Sequence, residues 1–525
     1  MSQRVSPRET AAPEELFARY RDLLGEVEWR AMCEAFARPL PPTLWVSPRR
    51  ALPAEVLSSL RADGHAPREL PWLAGAAALD APARLGRRLE FRAGLMHTQE
   101  AASMLPPLAL DPRPGEVVLD LCAAPGGKTA QLSLMMGGRG TLVANDLSFA
   151  RLSALRATQE RLGLSNMVLC AQEGERLLRD HPPCFDKVLV DAPCSCEGTI
   201  RKRGGWSFEG ERGDFRAALR ATQERLLLNA LRLTKRGGRV VYSTCTLDPA
   251  ENEGSLSGAL SRFGGAVEME PLALPGLRVE PGLRSFGGER FREEAAGAAR
   301  VYPHHNDTGG FFIASLRVTA PERQEEADPY ARWRRAGELP PARDEELLGW
   351  AEGHLGLPRD SFEGLRLTQG CKRVASVVNA ELLVPPTRVE VAGLPTFHTR
   401  GRLPHLTTGA SVEWGRRAAR QVVTLTAPAQ VDAYYRGEEQ PLPPEARDAA
   451  GALRRGDVIV CFASPHHAAP IPLGTGFCAE EGDALTLGSL YPKARALAPH
   501  ASAFEGPVVS EEGEKGEAEE SPLGG

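Results

Sequence analysis

The sequence predicts an α/β fold built on a mostly parallel sheet with helices on both faces. Three observations carry the prediction. Between about Met96 and Val318, short apolar runs alternate with helical stretches. The first of these runs passes straight into a turn of small residues. Acidic and thiol side chains then stand just past the later runs. Strand–helix alternation requires crossover connections, and crossovers make parallel neighbours covered on both faces.

The chain has 525 residues, more than one core usually organises, so roughly two to four domains are expected. In chain order, residues 1–95 form an N-terminal α+β region. Pro13-Glu14-Glu15-Leu16 opens a helix with early acids, and Leu16, Tyr20, Leu23, Leu24 and Val27 follow near helical spacing. Thr43–Val46 is a short strand candidate. Arg49, Arg50, Arg84, Arg87, Arg88 and Arg92 make the region locally basic, which suits either a solvated surface or phosphate contact.

Residues 96–318 carry the strand candidates Val117–Leu121, Thr141–Asn145, Met167–Cys170, Lys187–Val190, Arg239–Thr244 and Phe311–Leu316. Phe149–Leu162 and Phe215–Leu233 read as helices between them. Residues 319–343, with Pro321, Pro329, Pro340 and Pro341, read as a linker. Residues 344–500 begin with a helix, Asp344–Leu357, and then carry short strands including Val422–Leu425 and Val458–Phe462. Residues 501–525 form an acidic tail that reads as disordered. Six Glu and one Lys in Ser510–Gly525 account for a charge of −5, so the rest of the chain sums to −5 − (−5) = 0. A neutral body can still carry basic stripes.

No apolar run approaches membrane-spanning length, and the N-terminus lacks a signal-peptide core, so a soluble cytoplasmic protein is expected. The 10 cysteines are too sparse for a disulfide framework. Cys194 and Cys196 form a C-x-C without a second pair nearby, so no metal is expected.

Val117–Leu121 runs into Cys122-Ala123-Ala124-Pro125-Gly126-Gly127-Lys128 and then a helix. Small side chains let a ligand approach the backbone, and amides at a helix start favour anionic groups. Asp146 stands twenty residues after Gly126 at the end of the next strand, where an acid can take ribose hydroxyls. Gly-Lys-Thr suggests a phosphate loop, but the first glycine of that motif would fall on Cys122. The spaced glycines of a dinucleotide site are also missing. Asp191 and Cys194 lie just past the fourth strand of the unit and Cys245 at the end of the fifth. In open parallel sheets, ligands sit at those carboxyl ends. A buried structural thiol is the bland alternative for each cysteine.

These residues resemble the Sun/Nop (RsmB/RsmF-like) family of SAM-dependent RNA cytosine-C5 methyltransferases. The match is close in Leu119–Thr129, Asp191–Lys202 and Ser243–Glu253, and extends to Gln99–Leu105 and Arg300–Phe312. The resemblance implies a Rossmann-like SAM-dependent methyltransferase core. It implies that Cys122–Lys128, Asp146 and Asp191 line an S-adenosyl-L-methionine site, with Glu173 standing where the family usually has an Asp. It implies Cys245 as nucleophile and Cys194 as the cysteine that assists product release; by its chemistry, an acid such as Asp191 can hydrogen-bond the base. In DNA cytosine methyltransferases the Pro-Cys cysteine is the nucleophile, which makes Cys194 the rival. Cys196 stands where the family usually has Gly. Residues 344–500 resemble a PUA-like RNA-binding module. The implied partner is RNA, small-subunit ribosomal RNA first and transfer RNA second, with the protein a monomer away from membranes.

The chemistry explains the residue types. A thiolate adding to C6 of cytosine makes C5 electron-rich enough to accept a methyl group. The target base must leave its stack to reach the cleft. Two other readings stay open: an RNA-binding assembly factor that keeps the fold without turnover, and a methyltransferase for small molecules or proteins, which needs neither cysteine.

Overall fold

In a computed structural model, residues 12–80, 82–203, 213–371, 373–399, 404–442, 453, 456–481 and 484–490 are described. The acidic tail expected at 501–525 lies outside them. The opening helical pattern is interrupted. A turn at Pro13–Leu16 precedes helix α1, Arg21–Ala37, and within α1 Gly25 takes φ +74°, a left-handed value open to glycine. Strand β1 is Thr43–Val46, α2 is Pro53–Ala62, β2 is Pro67–Glu69, β3 is Ala76–Leu79 and β4 is Met96–Thr98. They form a four-stranded sheet in the order β2-β3-β1-β4. Because β4 pairs with β1, this sheet runs past the boundary expected at residue 95.

The central unit follows the predicted alternation. It comprises β5 (Val117–Asp120), α3 (Gly127–Met135), β6 (Thr141–Asn145), α4 (Phe149–Leu162), β7 (Met167–Cys170) and β8 (Phe185–Asp191). It continues through α5 (Gly213–Leu233), β9 (Thr234–Thr244), α6 (Ser255–Phe263), β10 (Val267–Glu270), β11 (Glu280–Pro281), β12 (Ala299–Val301) and β13 (Phe311–Val318). Local signals set the ends. Ser148 accepts the Arg151 N–H to cap α4, and Gly163, at φ +68°, stops it.

The strands β9-β8-β5-β6-β7 are parallel, β13 closes onto β9 antiparallel, and the chain order reverses between β5 and β8. Both faces are buried, and the side chains alternate between them. Val117, Leu119, Val143, Val188 and Val190 face α5 and α6, while Val118, Leu142, Ala144 and Leu189 face α3 and α4. Each fully buried aliphatic chain of this kind contributes about 1.5–3 kcal/mol.

The segment 319–343, read from sequence as a linker, packs against this core. Trp333 is buried, donates its Nε1–H to His181 Nε2 at 2.9 Å, and meets the Phe185 ring edge-on. Tyr330 donates its hydroxyl to the Cys184 carbonyl at 2.7 Å. Beyond it, residues 344–490 carry two sheets. One has four strands, running from Leu365–Cys371 to His405–Leu406. The other has five, among them Val422–Leu425 and Gly456–Phe462. A strand from this region, Val389–Ala392, pairs antiparallel with β7 and extends the central sheet. Among the described residues, no helix is long and apolar enough to cross a membrane.

Candidate active site

The carboxyl ends of β5, β6, β8 and β9 open into one cavity of about 1070 Å³. It sits at the switch point where an open parallel sheet leaves a crevice. Cys122, Ala123, Ala124, Pro125, Gly126, Gly127, Lys128, Asp146, Glu173, Asp191, Cys194 and Cys245 all line it. The structure therefore brings every residue singled out from the sequence to one place.

The small-residue turn is tightly determined. Gly126 takes φ +111°, and a Cβ there would lie 2.5 Å from Leu155 Cδ1. Asp146 ties the turn down from β6, accepting the Ala124 N–H at 3.2 Å and the Ser148 N–H at 3.0 Å. Thr129 donates to the buried Asp120 carboxylate at 2.7 Å. Burial and the nearby Asp191 charge push the Asp120 carboxyl up to about 7. Glu173 lines the cavity on the far side, 59% exposed and paired with Arg176 at 3.0 Å.

The catalytic candidates stand on adjacent strand ends. Asp191, at the end of β8, accepts the Lys128 ammonium at 2.7 Å and the Ser243 hydroxyl at 2.8 Å. Burial works against the Lys128 charge, but Asp191 outweighs it and holds the ammonium protonated. Lys128 also lies 5.3 Å from the centre of the Phe311 ring. The Cys194 and Cys245 sulfurs are 3.4 Å apart. Their contact favours the Cys245 thiolate, but the Cys196 thiol and burial together hold Cys245 well above the ordinary thiol range. Cys196 joins them at 3.9 Å from Cys194, in a left-handed conformation at φ +62°. Cys196 thus joins the Cys194 and Cys245 pair that the sequence had placed at the cleft.

The loop that carries these thiols is braced from below. Ser195 donates its N–H to buried Glu251 at 3.0 Å, and Gln223 donates to the same oxygen at 2.8 Å. Glu251 lies in a turn of π-helix, Ala250–Gly254, and burial raises its carboxyl to about 7. Gly198 donates to the Cys245 carbonyl at 2.9 Å, and Gly310 donates to the Gly198 carbonyl at 3.0 Å. Sequence reasoning missed several lining residues: His97 in β4, Gln99 and Glu100 just after it, and Leu147, Lys202 and Phe311. Glu100 accepts the Gly309 N–H at 2.9 Å, which joins two segments that the resemblance had flagged without assigning them to the site.

An extended small-residue turn, an acid on the neighbouring strand and a roomy cleft suit a nucleotide-like cofactor. The sulfur pair beyond them suits covalent chemistry on a second molecule.

The 16S rRNA methyltransferase RsmB/F family matches this chain over residues 107–317. The chain is 32% identical over 463 residues to ribosomal RNA small subunit methyltransferase F of Klebsiella pneumoniae, covering 82% of this chain and 92% of that one. It is 38% identical over 232 residues to tRNA (cytosine(49)-C(5))-methyltransferase of Pyrococcus abyssi, covering 44% and 73%. Among solved structures, a methyltransferase homologue from Pyrococcus horikoshii superposes with a TM-score of 0.51 at 36% identity, covering 58% of this chain and 95% of that one.

Proposed function

The chain belongs to the RsmB/F family of RNA cytosine-C5 methyltransferases, and from that premise we propose that it methylates a cytosine of small-subunit ribosomal RNA through a covalent Cys245 adduct. The observation that carries this reading is the pair of sulfurs, Cys245 and Cys194, 3.4 Å apart over a cavity that also holds Asp191 and the Gly126 turn. Ribosomal RNA is favoured over transfer RNA because the similarity to the Klebsiella enzyme spans 82% of the chain, flanks included.

S-adenosylmethionine, when bound, supplies an electrophilic methyl group. The turn Cys122–Lys128 would offer backbone to its carboxylate end, Asp146 would take its ribose, and Glu173 would serve its adenine. Glu173 is paired with Arg176. Asp191 accepts a hydrogen bond from the exocyclic amine of the flipped cytosine. Lys128, held protonated beside Asp191, adds positive charge near the thiols, which helps Cys245 lose its proton. Cys245 sulfur then bonds to C6, and the displaced electron pair makes C5 the nucleophile. Cys194, within reach of Cys245, assists loss of the C5 proton and release of the enzyme. The flanking N-terminal sheet and the C-terminal β region, read as PUA-like, contact the RNA and choose the site.

Purified protein incubated with methyl-labelled S-adenosylmethionine and total RNA should place label in 5-methylcytidine of the small-subunit RNA. Cys245→Ala should abolish it. Label confined to transfer RNA would move the target, and label that survives Cys245→Ala would sink the covalent mechanism. No label in any RNA would favour a binding factor that keeps the fold.

A further inference from the structure

Away from the cleft, three side chains converge between α1 and the short helix Pro303–Asn306. His304 Nε2 lies 2.7 Å from Glu28 Oε2, and His305 Nε2 lies 2.9 Å from the same oxygen. The two rings are 4.1 Å apart, and both histidine side chains are nearly fully buried. Arg278 pairs with the other Glu28 oxygen, Oε1, at 3.2 Å and with Glu280 at 3.5 Å. Tyr302 closes the far side.

The hydrogen bonding of this cluster is incomplete. With both rings neutral and donating Nε2–H to Glu28, each Nδ1 is left as a buried acceptor. Both Nδ1 atoms lack a hydrogen-bond partner. A buried polar atom without a partner is costly to leave so. Burial lowers the His304 pKa, which disfavours the charged form.

We propose that Glu28 Oε2, His304 Nε2 and His305 Nε2 form a binding site for a zinc-class divalent cation. The donor set is two imidazoles and one carboxylate, which suits Zn²⁺ with water in the fourth position. Glu28 is 38% exposed, so water has access to that position. Ligand distances of about 2.0–2.2 Å require the three donor atoms to spread by roughly 0.5 Å from their present contacts. Glu28, on an exposed helix face, can supply that movement. A cation at Nε2 moves each ring proton to Nδ1, with no net proton released. His305 Nδ1 then becomes a donor facing Glu280 Oε1, now 3.9 Å away. A carboxylate behind a metal-bound histidine is the usual outer-sphere arrangement. The ion would tie α1 to the segment that leads into β13.

The Cys194, Cys196 and Cys245 sulfurs are a rival zinc trap, since their ligand atoms also lie within 4.8 Å of one another. The test therefore uses the full chain carrying Cys194→Ser, Cys196→Ser and Cys245→Ser, stripped with chelator and titrated with Zn²⁺ against a competing chromophoric chelator. One equivalent is expected. Adding Glu28→Gln, which keeps a hydrogen-bond acceptor for both histidines, should weaken it by roughly 100-fold or more, above the usual loss for an outer-sphere partner. Co²⁺ should give a tetrahedral ligand-field band that disappears with Glu28→Gln. Zn²⁺ should raise the thermal midpoint of the triple-serine protein and leave that of its Glu28→Gln derivative unchanged. Absence of a bound equivalent in the triple-serine protein would overturn the proposal. So would an equivalent that Glu28→Gln and His305→Ala both leave intact.

Discussion

Cys194 and Cys245 differ in where they sit: Cys245 directly follows β9, while Cys194 lies in the Pro-Cys loop after β8. If Cys245 forms the bond to C6 and Cys194 helps break it, removing Cys194 should stop the reaction after methyl transfer. Cys194→Ala is therefore expected to accumulate an enzyme–RNA complex stable to denaturing gels, in an amount that depends on S-adenosylmethionine. The double change Cys194→Ala with Cys245→Ala should not. Equal trapping by both proteins would remove both roles, and trapping by Cys245→Ala alone would exchange them.

Two carboxyls at the same site have a separate consequence for stability. Burial raises both Asp120 and Glu251 to about 7, from ordinary values of 3.8 and 4.5. A raised carboxyl pKa means that the folded state binds the proton more tightly than the unfolded state. Its stabilisation is complete below the unfolded pKa and is lost as pH rises through the folded one. The gain in thermal midpoint on changing Glu251→Gln or Asp120→Asn should therefore grow from about pH 5 to about pH 8. A gain independent of pH, or one largest in acid, would show that neither group is held protonated.

At the scale of elements, the π-helical turn Ala250–Gly254 is held by one buried ion pair. Arg300 on β12 donates to Glu253 through Nε at 2.7 Å and Nη2 at 2.6 Å, and both side chains have 0% exposure. Arg300 also reaches the Leu247 carbonyl at 3.0 Å. Breaking such a pair leaves a buried charge uncompensated, at a cost of about 3–5 kcal/mol. Glu253→Ala should lower the urea-unfolding free energy by that amount and loosen the loop that Glu251 braces. A loss under about 1 kcal/mol, the range of surface pairs, would mean that water reaches the guanidinium.

Elements were also where sequence reading worked best. Thr141–Asn145, Met167–Cys170 and Phe149–Leu162 stand where the apolar pattern put them, because both sheet faces are buried and leave no other register. The turn Cys122–Lys128 was legible because small residues between a strand and a helix have few uses. The Glu251 brace and the Glu100 contact to Gly309 were not, since each joins segments far apart in sequence. The turn of the Cys196 thiol toward Cys194 and Cys245 was hidden because it follows from a left-handed backbone at a non-glycine residue. Trp333 and Tyr330 pack inside a stretch whose Pro and charge content resembles a linker, where composition gives no sign of two anchoring aromatic rings.

For the whole molecule, the flanks are bound to each other and to the core. The N-terminal residues Leu44, Val46, Val56, Leu60 and Leu79 share one apolar cluster with Val423, Leu425, Tyr434, Tyr435, Val460 and Phe462. Polar contacts fix the seam. Glu413 pairs with both Arg49 and Arg50, and Ala468 donates its N–H to Glu55 at 3.0 Å. Arg50 is buried, and its burial lowers its pKa against the pull of Glu413, so the pair holds a charge that the seam hides from water. The strand Val389–Ala392 meanwhile covers the β7 edge of the central sheet, next to the turn that leads to Glu173.

A chain ending at residue 343 would therefore lose more than an RNA-contacting appendage. It would expose one side of the N-terminal core, leave Arg50 without its carboxylate and uncover a sheet edge, which is a template for self-association. Such a chain is expected to bind a hydrophobic dye, unfold at a lower temperature and associate at concentrations where the full chain does not. It should lose activity even on short RNA that has no contact with residues 344–500. A truncated protein that stays monodisperse, keeps its thermal midpoint and methylates short RNA normally would show that the C-terminal region serves only to choose the RNA. The expected result assigns it a second task, holding the N-terminal sheet against the cleft so that His97, Gln99 and Glu100 keep their places on its wall.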